Sequence, residues 1–124
     1  MPLLKPILIV EDDPQVRALL KAMLAEGYTV ITANDGTGAL HELWKRRGNV
    51  ALLLTDVDMG RMNGVELAQT VRSQYPGVPI LFISGLPMSA SELDRVAPGS
   101  VLVTKPFDAA TLVGAVEQAI DRPT

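Results

Sequence analysis

The sequence predicts an α/β protein: a doubly wound, five-stranded parallel sheet with five helices. Three observations carry this. Short runs of aliphatic residues alternate with longer segments whose apolar residues recur at helical spacing. The aliphatic runs are continuous rather than alternating with polar residues, as strands buried on both faces require. Each run is followed by turn and capping residues and then by a helical pattern. Such β–α units, joined by right-handed crossovers, restrict the topology to a sheet covered on both sides.

Ile7-Leu8-Ile9-Val10 is a short strand closed by acids. Asp13-Pro14 reads as an N-cap followed by proline at the first helical position. Val16, Leu19, Leu20, Met23 and Leu24 follow at helical spacing, and Gly27 stops the helix. Tyr28–Thr32 is the second strand. Asn34-Asp35-Gly36 turns into a helix whose inward residues are Leu40, Leu43 and Trp44, ending at Gly48. Val50–Thr55 is the third strand, closed by Asp56. Asn63-Gly64-Val65-Glu66 has the form of a capping box and opens a helix with Leu67, Ala68 and Val71 inward. Pro76-Gly77 breaks that helix, and Ile80–Ile83 is the fourth strand. Ser89–Glu92 caps a short helix to about Val96. Val101–Thr104 is the fifth strand. Asp108 caps a last helix with Leu112, Val113, Val116 and Ile120 inward.

Composition bounds the function. At 124 residues, 1–124 fits one domain, with a core large enough to stand alone. Lys and Arg number 11 against 14 Asp and Glu, a net charge of −3, which disfavours a nucleic-acid partner. Aromatics are 4%, too few for a base-stacking platform. With no cysteine and one histidine, His41, there is no disulfide, thiolate nucleophile or Cys/His metal site. The apolar stretch at Pro2–Val10 is too short for a signal core or a membrane span. A cytoplasmic protein with no membrane association is expected.

In open parallel sheets ligands bind beyond the carboxyl ends of the strands. Strand one ends in Glu11-Asp12. Strand three ends in Asp56, with Asp58 two residues on. Strand four ends in Ser84-Gly85 and strand five in Thr104-Lys105-Pro106. If strands one and three are neighbours, their carboxylates lie about 5 Å apart. Carboxylates that close repel, so either one is protonated or a cation holds them. Oxygen-only ligands with open positions suit Mg²⁺, which keeps several waters. A cation, the Lys105 ammonium and the Ser84 hydroxyl together can hold a phosphoryl group, and Asp56 is then the candidate nucleophile.

The set Val10-Glu11-Asp12-Asp13, Leu54-Thr55-Asp56-Val57-Asp58-Met59, Ile83-Ser84-Gly85 and Thr104-Lys105-Pro106-Phe107 strongly resembles the receiver domain of bacterial two-component response regulators, over about residues 5–121. The resemblance implies a flavodoxin-like strand order of 2-1-3-4-5. It implies that Asp56 accepts a phosphoryl group from a sensor histidine kinase or histidine phosphotransfer protein, and that hydrolysis resets the switch. Asp12 would bind Mg²⁺ directly alongside Asp56, Glu11 through water, and Asp58 through its backbone carbonyl. Ser84 and Gly85 would meet the phosphoryl group, Lys105 would pair with it, and the Lys105–Pro106 bond would be cis. The output would pass to a downstream protein target, from a monomer or weak dimer.

The chain departs from the family pattern in four places. Gly60 stands where the family often has proline. Asp58 adds an acid two residues past the acceptor. Gly85-Leu86-Pro87 makes an unusual loop. The family's switch aromatic, three residues before the lysine, is replaced by Leu102, so the usual hydroxyl–aromatic rotation has no aromatic to turn. Output would then come from rearrangement near residues 85–96.

Several residues have plainer readings. Asp13 is a helix cap rather than a ligand. Thr55 and Thr104 are structural. His41 is solvated, Trp44 packs in the core, and Met59 and Met62 fill loop contacts. Gly36-Thr37-Gly38 lacks the rest of a phosphate loop. Two other functions fit less well. Asp56-Val57-Asp58 resembles the DxD of haloacid-dehalogenase-like phosphatases, but in that family the acidic pair follows the DxD instead of preceding it. An FMN binder would need a Ser/Thr/Gly loop where Glu11-Asp12-Asp13 would repel phosphate. Within the family, the chain fits a stand-alone regulator or a receiver from a hybrid kinase or larger regulator; the complete residue set argues against a degenerate receiver that never carries phosphate.

Overall fold

A computed structural model describes residues 5–59, 63–85 and 89–121. The elements alternate strictly: β1 (Ile7–Val10), α1 (Pro14–Ala25), β2 (Val30–Ala33), α2 (Gly36–Lys45), β3 (Leu52–Asp56), α3 (Gly64–Gln74), β4 (Ile80–Ser84), α4 (Ala90–Val96), β5 (Val101–Thr104) and α5 (Ala109–Asp121). The strands form one parallel sheet in the order β2-β1-β3-β4-β5, as expected. The strand order reverses between β1 and β3, which is where an open α/β sheet places its crevice.

Successive strand residues point to opposite faces, so each strand feeds two cores. Leu8, Val10, Leu53, Ile80 and Phe82 pack with Ala39, Leu43, Leu67, Val71 and Leu93 from α2, α3 and α4. Ile7, Ile9, Leu52, Leu54, Leu81 and Ile83 pack with Leu20, Leu24, Leu112 and Val116 from α1 and α5. This two-sided burial is why the runs read as continuously apolar.

Helix starts follow local chemistry. Asp13, Asp35, Asn63, Ser89 and Asp108 each accept a backbone N–H of the following turn, at least one orphan donor satisfied per helix. Strand bounds follow the neighbours instead. Tyr28 and Thr29 lie outside β2, which begins at Val30 opposite Ile7. β3 begins at Leu52, also opposite Ile7, and runs on to Asp56, so Val50 precedes it. An apolar run shows where a strand can form; the ladder of its neighbour shows where it does.

Two helix-face expectations are corrected. Trp44 is 69% exposed and is not a core residue. The buried line of α2 runs through Gly36, Ala39 and Leu43, and Trp44 sits about 100° around the helix from Leu43, in its last turn. Its indole stacks on His41 instead, with ring centroids 6.0 Å apart. Leu19 is 53% exposed for the same reason, since Leu20 and Leu24 carry the buried line of α1. Met59 is buried and receives the Thr55 hydroxyl at 3.8 Å from its sulfur. The expectations for Gly60, Met62, Leu86 and Pro87 lie outside the described residues.

Candidate functional site

The β1–β3 pairing sets Val10 opposite Thr55, so the residues that follow, Glu11 and Asp56, leave adjacent strands side by side. Both are buried, at 2% and 6% exposure, while Asp12 and Asp58 face solvent. Pairing of Ser84 with Thr104 brings Lys105 to the same edge, and its backbone N–H donates to the Ser84 carbonyl at 2.8 Å. Four strand ends therefore deliver Glu11, Asp56, Ser84 and Lys105 to one end of the sheet.

Asp56 is held on both oxygens. Its Oδ2 accepts from Lys105 Nζ at 2.6 Å, and its Oδ1 accepts from the Asp58 backbone N–H at 2.9 Å. Lys105 Nζ also stands 4.0 Å from Glu11 Oε1. The lysine thus bridges two buried carboxylates. Burial pushes the Glu11 carboxyl up to about 7, and hydrogen bonding with Asp12 and Asp56 adds to this; the Asp13 backbone N–H, 3.2 Å from Oε2, works the other way. Burial acts to lower the Lys105 ammonium, but the Asp56 hydrogen bond and the charges of Asp56, Glu11 and Asp12 raise it on balance. Ser84 is buried at the end of β4, Gly85 lies against the Lys105 stem, and the Lys105–Pro106 peptide is cis. Leu102 is half-buried against the α2–α4 core.

The donors fit a divalent cation. All are hard oxygens, and two buried carboxylates, Glu11 and Asp56, lie against the same lysine among the described residues. Among the described residues, no group of three acids or histidines closes into a ready metal cage. Mg²⁺ does not need one: it binds through one or two carboxylates and keeps its waters, and the exposure of Asp12 leaves room for them.

Two residues at this edge have roles that their sequence position does not suggest. Gly64, read above only as part of a capping box, lies directly on the backbone carbonyl of Asp56, where a Cβ would collide, and its N–H donates to the Val57 carbonyl at 2.8 Å. Arg17, on α1, donates from its guanidinium to the Glu11 carbonyl at 2.8 Å and steadies the turn that carries the acids. The glycine inside a capping box was the only local signal for the first. The second had none.

Known proteins similar to this chain agree with one another. A family model for the response regulator receiver domain matches residues 7–117. The chain is 36% identical over 119 residues to the response regulator receiver protein CpdR of Brucella abortus, covering 94% of this chain and 98% of that protein. It is 35% identical over 117 residues to the nitrogen assimilation regulatory protein NtrX of Azorhizobium caulinodans, covering 93% of this chain and 26% of that one, so it spans about a quarter of that relative. Among solved structures, the receiver domain of NtrX from Brucella abortus gives a TM-score of 0.85 at 29% identity, covering 94% of this chain and 99% of that one. The chemotaxis protein CheY4 of Vibrio cholerae gives 0.84 at 30% identity, covering 94% and 99%. Matched over this length and sharing this sheet, the chain belongs to the receiver domains of two-component response regulators, a family of phosphoacceptor signalling modules.

Proposed function

We propose that Asp56 is the phosphoacceptor and that residues 1–124 act as one receiver. The observation that carries this is the contact of Lys105 Nζ with Asp56 Oδ2 at 2.6 Å, beside buried Glu11. A carboxylate oxygen of Asp56 attacks the phosphorus of a phosphohistidine. The new O–P bond forms as the P–N bond breaks, and the imidazole leaves with a proton from solvent. Water later attacks the acyl phosphate and releases inorganic phosphate. Lys105 moves from the carboxylate to a phosphoryl oxygen, and Ser84 with the backbone at Gly85 meets another, so charge is matched where it develops. Asp12, Asp56 and the Asp58 carbonyl would hold Mg²⁺, with Glu11 through water; the ion supplies neutralisation of the phosphoryl oxygens.

The donor is a sensor histidine kinase or histidine phosphotransfer protein, and the output goes to a protein target from a cytoplasmic monomer or weak dimer. Leu102 at the switch position moves the output to the region of residues 85–96. Among the described residues, no helix is long and apolar enough to cross a membrane.

The test is intact mass after incubation with acetyl phosphate, with Mg²⁺ and with chelator, on the natural chain and Asp56→Asn. One phosphoryl adduct that requires both Mg²⁺ and Asp56 is expected. Equal labelling of Asp56→Asn overturns the acceptor assignment.

A further inference from the structure

The opposite end of the sheet carries a second, chemically different surface. Trp44 is the only tryptophan of the chain, yet it is 69% exposed at the end of α2. With Lys45, Arg47 and Tyr75 it lines a hollow of about 450 Å³. A second hollow of about 250 Å³ continues past Arg47 and Tyr75 to Lys5, Pro76 and Val78. Lys5 precedes β1 and Glu11 follows it, so this groove lies about 20 Å from the carboxylate edge, at ~3.3 Å per strand residue.

The groove is built, not incidental. Arg47 and Gly48 take consecutive left-handed conformations, φ 54° and 76°. For arginine that is uncommon. Gly48 is required there because the Tyr75 ring lies on it: a Cβ would come 2.6 Å from the ring. The turn thereby lays Tyr75 flat and projects Arg47 between the two hollows.

Its charge is opposite to that of the chain. Lys5, Lys45 and Arg47 line it in a protein of net charge −3. Glu42 neutralises part of this, at 3.3 Å from Lys45 and 3.5 Å from Arg46. Among the described residues, no carboxylate lies within ion-pairing distance of Lys5 or Arg47. Trp, Tyr and Arg are the residues that dominate protein interfaces, and here they surround an open, shallow groove with cations at its rim.

We propose that the Trp44–Tyr75 groove docks an acidic segment of a partner protein, seating an aromatic or aliphatic side chain between the two rings and carboxylates on Arg47 and Lys5. A nucleotide is disfavoured because the groove offers no buried polar group to read a base. A second copy is disfavoured because its acidic edge would meet this basic end head to tail, a contact that does not close.

The test uses a capped peptide, Asp-Glu-Phe-Asp-Glu, its Lys-for-acid counterpart and ATP, each titrated to about 5 mM against the full chain. Trp44 emission reads the groove directly, and amide chemical shifts read it in variants. The acidic peptide is expected to shift Trp44 emission and the backbone amides of residues 44–48, Tyr75, Gly77 and Val78. Its affinity should fall about tenfold in Trp44→Ala. It should fall about threefold or more in Arg47→Gly, which keeps the left-handed backbone, and similarly between ~20 and ~300 mM salt. Asp56→Asn should bind the peptide unchanged, which separates this result from the phosphoacceptor assignment. No response to the acidic peptide, an equal response to the basic one, tighter binding of ATP, or self-association in place of peptide binding each overturns the proposal.

Discussion

Gly64 rests on the backbone carbonyl of Asp56, so the first turn of α3 and the end of β3 are in direct backbone contact. The contact leaves no space for a side chain. It couples the proposed acceptor to a helix that packs its Leu67, Ala68 and Val71 into the core.

Gly64→Ala therefore cannot be absorbed by a rotamer change, because the obstruction is main chain. The variant should lose about 2–3 kcal/mol of stability, in the range of core overpacking. Urea unfolding checks this through a lower midpoint at constant slope. A loss under about 0.5 kcal/mol would mean that α3 moves away freely.

Lys105→Ala removes the one cation that, among the described residues, lies between Asp56 and Glu11. Phosphorylation should slow, because one phosphoryl oxygen then lacks its cationic partner. Mg²⁺ should bind about three- to tenfold more tightly, since a competing positive charge is gone. Calorimetric titration with Mg²⁺ separates the two effects. Weaker Mg²⁺ binding would show that Lys105 organises the acids rather than competing for them.

Glu11 makes metal-free stability depend on pH. Burial pushes its carboxyl up to about 7 in the folded state, from an ordinary value of 4.5. The folded state thus holds the proton more tightly than the unfolded state. The resulting stability is fully present below about pH 4.5 and is lost as pH rises through about 7. In chelator, melting temperature should fall between those values. Glu11→Gln should flatten that fall, and Mg²⁺ at pH 8 should restore stability by competing for the ionised carboxylate. A flat profile in the natural chain would contradict the raised carboxyl.

Trp44→Ala should change stability by no more than about 0.5 kcal/mol, as for an exposed site, rather than the 3–5 kcal/mol, approximately, of a core aromatic. Trp44 emission should also be nearly blind to Mg²⁺, given its place at the far end of the sheet. Chemical denaturation and a Mg²⁺ titration check both.

Much of this protein was legible residue by residue. Continuous aliphatic runs such as Ile7–Val10 mark strands buried on both faces, because no polar residue breaks them. Capping residues such as Asp13 and Asn63 mark helix starts because they satisfy donors two or three residues away. The acids and the lysine of the edge were visible for a related reason: in a parallel sheet, whatever follows a strand arrives at the same end. Only the tertiary structure decided what needs partners distant in sequence. The bounds of β2 and β3 are set by the ladder with β1. The Lys105–Asp56 contact spans 49 residues, and the seat of Gly64 on Asp56 depends on how α3 lies on the sheet. The outward turn of Trp44 depends on the angle at which α2 meets the sheet, which a hydrophobic residue at helical spacing does not encode. Local chemistry specifies which elements form and what they carry; burial, close approach and charge balance are properties of the packed whole.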